Sequence, residues 1–477
     1  MKAFRAIVAL TFRNAVRSHI FQLLLLLLLI CVTVIPFSVS VGKAEDLIRV
    51  SLLYSLWSVS IILALSSLWL GCYVMSHDID SYQIHMVVSK PVSRVTIWLG
   101  KWLGINLLNG ILLVLAMLTV YGMVMFRYHS AGKEDMLADR ELARQNAEAE
   151  KARIRSQVLV GRRSFMPERP DPESFANMIV QQRSEEAANA GKPIPDEELI
   201  KMRDEIKKRV EQKMPDEVLP GPAQAQTWVF KDVPEDLNKK NLTLRFRPYL
   251  GKVASEDQRD SMMLWGVLVP EYVKTAGEDG AFAYGQPETF FTGTFHEKDL
   301  PQGIISEDGT VKIRVINFDR DGGKHYYQVA DGPKLLVPVC SFEMNYLRAA
   351  LVMFIQLLLL SGLACAFGGF LTMPTAVFMV ASYLLFGALS MVLTDSAFFV
   401  ESNWDKMGQA LAQILLMVVI PLQRFDVTDM LSNGDLIEYA FIFKELFLSY
   451  FLLRGVPLFV FGIWLYWRRE MGSAVRK

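Results

Sequence analysis

The sequence predicts an α-helical polytopic membrane protein: six transmembrane helices, with a large polar insertion between the third and the fourth. Three observations carry this. Six apolar runs reach the roughly 20 residues that a helix needs to cross a bilayer. Charge is segregated along the 477 residues: positions 127–345 hold 32 basic and 37 acidic side chains and the rest of the chain holds 18 and 13, so a net charge of zero is the sum of −5 and +5. Within the insertion, hydrophobic periodicity changes from helical spacing to strict alternation. A purely soluble protein is excluded by the apolar runs, and a nucleic-acid-binding polycation by the charge balance.

Residues 1–18 read as an amphipathic interfacial helix. At about 100° per residue, Lys2, Arg5, Arg13 and Arg17 fall within roughly a third of its circumference, with Phe4, Ile7, Val8 and Ala15 opposite. Such a helix lies on the cytoplasmic leaflet; the plainer alternative is a basic N-terminus that only obeys the positive-inside rule. Residues 19–126 hold transmembrane helices 1–3. The run 21–41, with its leucine block 23–29, is read as a span rather than a signal peptide, and 52–75 and 97–125 follow. Residues 346–477 supply spans 4–6 at 347–371, 374–393 and 446–467. The apolar stretch 409–422 is too short to cross and is read as re-entrant or interfacial. With the N-terminus inside, six crossings leave Arg468, Arg469, Arg476 and Lys477 in the cytoplasm. The loop 76–95 is then cytoplasmic and the insertion extracytoplasmic.

Residues 127–221 are expected to form a helical stalk. Leu199, Met202, Ile206, Val210 and Met214 make one apolar stripe behind the acidic start Asp196, Glu197 and Glu198. A weaker helix is expected over 137–159, and a third around 175–190 after Pro167, Pro170 and Pro172. This stalk either packs on a partner or is a solvated charged face. Residues 222–345 are expected to form a β-sandwich: Leu242, Leu244 and Phe246 alternate with polar residues, as do Val311, Ile313 and Val315 after the turn signal Asp308-Gly309. Further strands are expected at 227–230, 263–269, 289–295 and 326–339. Trp228, Trp265 and Tyr327 are either core residues or stacking platforms for a ligand, with the core reading favoured.

Polar residues inside the spans have two readings. Asn106, Asn109 and Gln356 are candidates for a substrate path or for interhelical hydrogen bonding, the commoner use. Lys101 and Arg348 lie near span ends and can snorkel, whereas Arg454 sits deeper. No Asp or Glu falls at the middle of a span, which disfavours an ion-coupled transporter. The four cysteines, Cys31, Cys72, Cys340 and Cys365, are read as packing residues. The six histidines form no metal-ligand spacing, and hydrolase and phosphate-cradling motifs are missing, so no catalytic residue, metal or cofactor is assigned to this chain.

The most informative stretch joins spans 2 and 3: Asp78, Asp80, Ser81, Tyr82, Gln83 and His85, then Val88-Ser89-Lys90-Pro91-Val92-Ser93-Arg94 and Leu99-Gly100-Lys101. Residues 79–88 can form a short helix along the membrane plane that Pro91 ends, and Ser93 can cap span 3. The string resembles the permease subunits of the type-2 family of ABC exporters, which place a short acidic helix and a Ser-Lys-Pro-Val-Ser-Arg and Leu-Gly-Lys pattern before span 3. The resemblance covers the membrane halves, about 260 residues, and leaves out the stalk. It implies a multi-pass protein of a bacterial cytoplasmic (inner) membrane, paired with a second permease copy or homologue and with a dimer of cytoplasmic ATPase subunits that bind ATP and Mg. It further implies that Asp78, Asp80, Ser81, Tyr82, Gln83 and His85 contact the ATPase, while Lys90, Pro91, Ser93, Arg94 and Lys101 anchor the loop at the interface with membrane lipids. The competing class is a mechanotransmission or scaffold protein whose external domain acts on an envelope protein with no substrate crossing.

Overall fold

The computed structural model describes residues 2–38, 44–80, 92–131, 140–168, 173, 176–177, 180–181, 184, 195–213, 216–218, 221, 224–250, 260–319, 323–328, 331–395 and 403–468. They divide into two compact units, Met1–Gly161 with Cys340–Lys477, and Arg162–Val339. The boundaries differ from those expected at 127, 222 and 346.

The first unit opens with α1 (Lys2–Arg17) and α2 (His19–Ser38), followed by the long helices α3 (Ala44–Asp80) and α4 (Arg94–Ser130). Each of the last two extends the expected span at both ends. Charged residues such as Glu45, Asp46 and Arg127 occupy those ends, where water and helix-terminal backbone accept them. Helix α5 (Arg140–Gln157) belongs to this unit too, since Ile154 and Val158 are buried in the same apolar core as α3 and α4. The helix itself is the one expected over 137–159; its C-terminal end packs on helices of its own unit.

In the second unit the chain enters β1 (Val160–Phe165) directly, a strand inside the stretch expected to be helical. Helix α6 (Asp196–Lys213) spans Leu199, Met202, Ile206 and Val210 of the predicted stripe, and Met214 lies outside the described residues. The strands β2 (Asp216–Val218), β3 (Gln226–Phe230), β4 (Leu242–Phe246), β5 (Tyr249–Leu250) and β6 (Asp260–Leu268) follow. After α7 (Pro270–Gly280) come β7 (Phe282–Tyr284), β8 (Glu288–Phe291), β9 (His296–Leu300), β10 (Val311–Asn317), β11 (His325–Tyr327) and β12 (Lys334–Ser341). They form a four-stranded sheet in the order β1-β12-β4-β9, a five-stranded sheet β3-β10-β6-β7 with β8 also on β6, and a three-stranded sheet β2-β11-β5. The alternation of β10 sets its register: Ile313 lies opposite Trp228 on one side and Val267 on the other. Leu244 and Leu335 from one sheet meet Trp228, Trp265 and Ile313 from another in one core. Trp228, Trp265 and Tyr327 are at most 2% exposed, with Trp228 and Tyr327 ring centroids 5.1 Å apart, so they are core residues and no stacking platform. The strand expected over 326–339 is two, β11 and β12, broken around Gly332, whose φ of +114° suits glycine.

Back in the first unit, α8 (Phe342–Phe370) is the central helix, followed by α9 (Met373–Asp395), α10 (Asn403–Val418), the short α11 (Thr428–Ser432) and α12 (Phe441–Arg468), whose first half, Phe441–Gly455, is wound as a π-helix. Small residues let α8 touch its neighbours closely. A Cβ on Gly71 would meet Ala364 at 2.4 Å, and one on Gly462 would meet Ala366 at 2.3 Å. Among the described residues six helices are long and apolar enough to cross a membrane, as expected from the sequence. The expected short segment 409–422 falls in a bent helix pair, Ala410–Met417 and Leu422–Ser432, which meet at 68° and form a broken span or a re-entrant loop.

Candidate functional site

The motif before α4 can be followed from Val92 onward. Ser93 has extended backbone and caps α4: its Oγ accepts the N–H of Thr96 at 3.1 Å. Arg94 donates to the carbonyl of Trp467 at the end of α12. Gly100 and Gly104 form the seat for α1; a Cβ on either would come within 2.8 Å of Ile7 or Thr11. The charged face of α1 is thereby left free while Thr11 and Ala15 are buried. Lys101 departs from expectation. It is only 5% exposed and donates from Nζ to the carbonyl of Val74 at 2.9 Å, so it ties α4 to α3 instead of snorkelling. Its aliphatic stem is covered because α1 lies over Gly100. Of the other motif residues, Asp78 and Asp80 end α3 as backbone, and nothing is described of their side chains; Ser81, Tyr82, Gln83, His85, Lys90 and Pro91 lie outside the described residues.

The polar residues of the spans are engaged. Asn109 accepts from Ser66 Oγ at 3.0 Å and donates to Ser67 Oγ at 2.8 Å, clamping α4 to α3. Asn106 accepts from Ser361 Oγ at 2.8 Å, clamping α4 to α8, and donates to the carbonyl of Trp102. Both are buried. In this geometry both join helices, and Asn106 also lines the groove between α4 and α8. Gln356 does something else: its Nε2 donates to the carbonyls of Phe425 at 2.8 Å and Leu422 at 3.3 Å, both in the break after α10.

That break gathers further donors and acceptors. Tyr383 Oη accepts the N–H of Ile420 at 2.9 Å, and Arg454 donates to the carbonyl of Leu416 at 2.7 Å with its guanidinium over the Tyr450 ring. Backbone freed by a helix break inside a bilayer must find partners in the protein, and three neighbouring helices supply them here. Gln356 is the central residue of Phe342–Phe370, and Tyr383 and Arg454 lie within a residue of the centres of Met373–Val392 and Phe441–Arg468. The break therefore sits at mid-span depth. Higher up, Asn345 and Arg348 bind the carbonyls of Asp435 and Ile437, so Arg348 also serves a loop and does not snorkel. Single-residue reading missed this site. Its one local signal was a 14-residue apolar stretch with Pro421 near its end, followed by a polar run.

The first unit also carries an apolar groove of about 1220 Å³ between α4 and α8. In the second unit the buried polar groups include charged ones. Glu297 receives Arg162 at 2.8 Å and Arg245 at 2.8 Å. Asp319 Oδ2 lies 2.7 Å from His325 Nε2, which also meets Ser261 Oγ at 2.6 Å. Both contacts fall on one ring nitrogen, so Ser261, His325 and Asp319 lack the relay geometry of a nucleophilic triad. Burial pushes the Asp319 carboxyl up, but the bonds from His325 and the Met262 N–H outweigh it and hold the carboxyl below its usual range. Among the described residues no group of three or more His, Cys, Asp or Glu could hold a metal ion.

Comparison of the chain with protein-family profiles, with characterised proteins and with solved structures returns no match.

Proposed function

We propose that this chain is the membrane-spanning permease subunit of an ATP-binding-cassette exporter of the type-2 kind. In this reading it resides in a bacterial cytoplasmic membrane with N- and C-termini inside, and pairs with a second permease copy or homologue. Two cytoplasmic ATPase subunits supply ATP, Mg and hydrolysis in trans, and export or extraction of a substrate follows. The observation that carries it is the bracing of the loop's exit. Ser93, Arg94, Gly100 and Lys101 connect the start of α4 to α12, α1 and α3. A force applied to the loop 81–91 by a closing ATPase dimer would reach four helices at once, which is what a coupling element requires. Replacement of residues 78–83 by alanine is expected to abolish co-purification with the ATPase while leaving the chain folded in the membrane. Unchanged association would remove the coupling role.

One observation favours a second reading, a mechanotransmission protein acting on an envelope partner through an extracytoplasmic β-rich unit. Asn106 and Asn109, two of the three polar side chains offered for a path, bond to serines of α8 and α3. Replacing residues 162–339 by a short linker separates the two: sustained ATP-driven transport supports the exporter, and loss of partner capture with an intact ATPase cycle supports mechanotransmission.

A further inference from the structure

The break after α10 does more than satisfy its own backbone. A cavity of about 340 Å³ opens beside it, walled by α3, α4, α8 and the 422–426 stretch. Its depth is fixed by the helices around it: Gln356 is central in α8, and Ser60 lies within a residue of the centre of Ala44–His77. The deeper wall is apolar, with Leu63, Leu113 and Leu360 buried. The mouth is not. Trp57, Gln423 and Asp426 line it and all three are exposed.

Asp426 is the decisive group. One carboxylate oxygen, Oδ1, accepts from the backbone N–H of Thr428 at 2.9 Å and its hydroxyl at 2.6 Å, which fixes the side chain in place. The neighbouring Arg424 is committed elsewhere, to Tyr450 Oη at 3.4 Å and Glu445 at 3.9 Å on α12. Among the described residues Asp426 forms no ion pair. An exposed, unpaired carboxylate at mid-span depth is costly in hydrocarbon and marks a place where a cation or water is received. A carboxylate and an exposed tryptophan lining one cavity are the groups that attract an organic cation, and the apolar wall accepts a hydrophobic body.

We propose that this cavity is a binding site for a cationic amphiphile, its charged group between Asp426 and Trp57 and its apolar part against Leu63, Leu113 and Leu360. The site does not depend on the exporter reading; only the further step of naming such a molecule as the transported substrate rests on it. The test uses the full chain in lipid nanodiscs without nucleotide or ATPase, so that failure of binding and failure of coupling are read separately. Rhodamine 6G, a hydrophobic cation, is titrated by fluorescence anisotropy against empty nanodiscs, with anilinonaphthalene sulfonate as an anion of comparable apolar bulk. Saturable binding of the cation over the anion is expected, weakened about tenfold in Asp426→Asn, which keeps the shape and the Thr428 bonds, and recovered in Asp426→Glu. A Trp57→Leu variant is expected to weaken it less. Equal binding by wild type and Asp426→Asn, equal binding of cation and anion, or no saturable binding by wild type would each overturn the proposal.

Discussion

The two units differ in the polar groups that they bury. In the β-rich unit an ionic cluster stands out, with Arg162, at 1% side-chain exposure, and Arg245 converging on Glu297, although Thr243, Ser261 and Asn317 are buried too. In the membrane unit they are mostly neutral amides and hydroxyls, Asn106, Asn109, Ser66, Ser67 and Ser361, and the deep cation Arg454 is bound to a helix-end carbonyl. The difference teaches what each unit's unfolded reference is. A chain that unfolds into water regains the hydration of every ion, so a buried ion pair survives only with close geometry and full bonding. A helix that stays in a bilayer finds other partners, so a neutral bond there discriminates weakly between packed and unpacked states.

The largest effect is expected from breaking the ionic side of this contrast. Glu297→Ala leaves two arginines buried without their carboxylate and is expected to destabilise the β-rich unit by about 3–5 kcal/mol. Urea unfolding followed by the fluorescence of Trp228 and Trp265 measures it, and a change below about 1 kcal/mol would end the contrast. In the membrane unit the largest effect should come from shape. Gly104→Leu drives a side chain into Thr11 and is expected to cost about 1–3 kcal/mol and to detach α1, read as protease sensitivity of the N-terminus.

An acid titration sharpens the comparison. Because the Asp319 carboxyl is held below its ordinary range, its contribution is present above the unfolded value of about 3.9 and is lost as pH falls through the folded value. The difference in melting temperature between wild type and Asp319→Asn is therefore expected to hold from pH 7 to about 5 and to shrink below pH 4. The smallest effect belongs to Asn109→Leu, about 0.6 kcal/mol by the average for hydrogen bonds between membrane helices, measured by reversible unfolding in mixed micelles. A cost as large as that of Glu297→Ala would show that the membrane unit uses its polar groups as the β-rich unit does.

Much of the fold was legible because the signals are local. Six apolar runs, the alternation of Val311, Ile313 and Val315, and Ser93 three residues before Thr96 report on their own neighbourhoods. The packing of the 127–221 stretch was not legible for the same reason. Residues 140–157 carry helical composition, but nothing local tells that Ile154 and Val158 meet α3, or that Arg162, in a basic pair followed by Ser164, is a buried strand residue held by Glu297 135 positions away. Lys101 at a span end suggests snorkelling, and only the cover supplied by α1 turns it inward.

The sequence by itself determined the positions of the apolar helices, the change of period that separates helix from strand, and the cap that starts α4. Those properties follow from side-chain periodicity and chain length. Only the tertiary structure decided where the polar residues of the spans go. Ser60, Gln356, Tyr383 and Arg454 come from four helices and meet beside one break because each lies near the middle of its own span. That coincidence of depth brings Asp426, in the second arm of the bent helix pair, to a level where the sequence had placed no carboxylate. Depth is a property of the assembled bundle, so it cannot be read from any one segment.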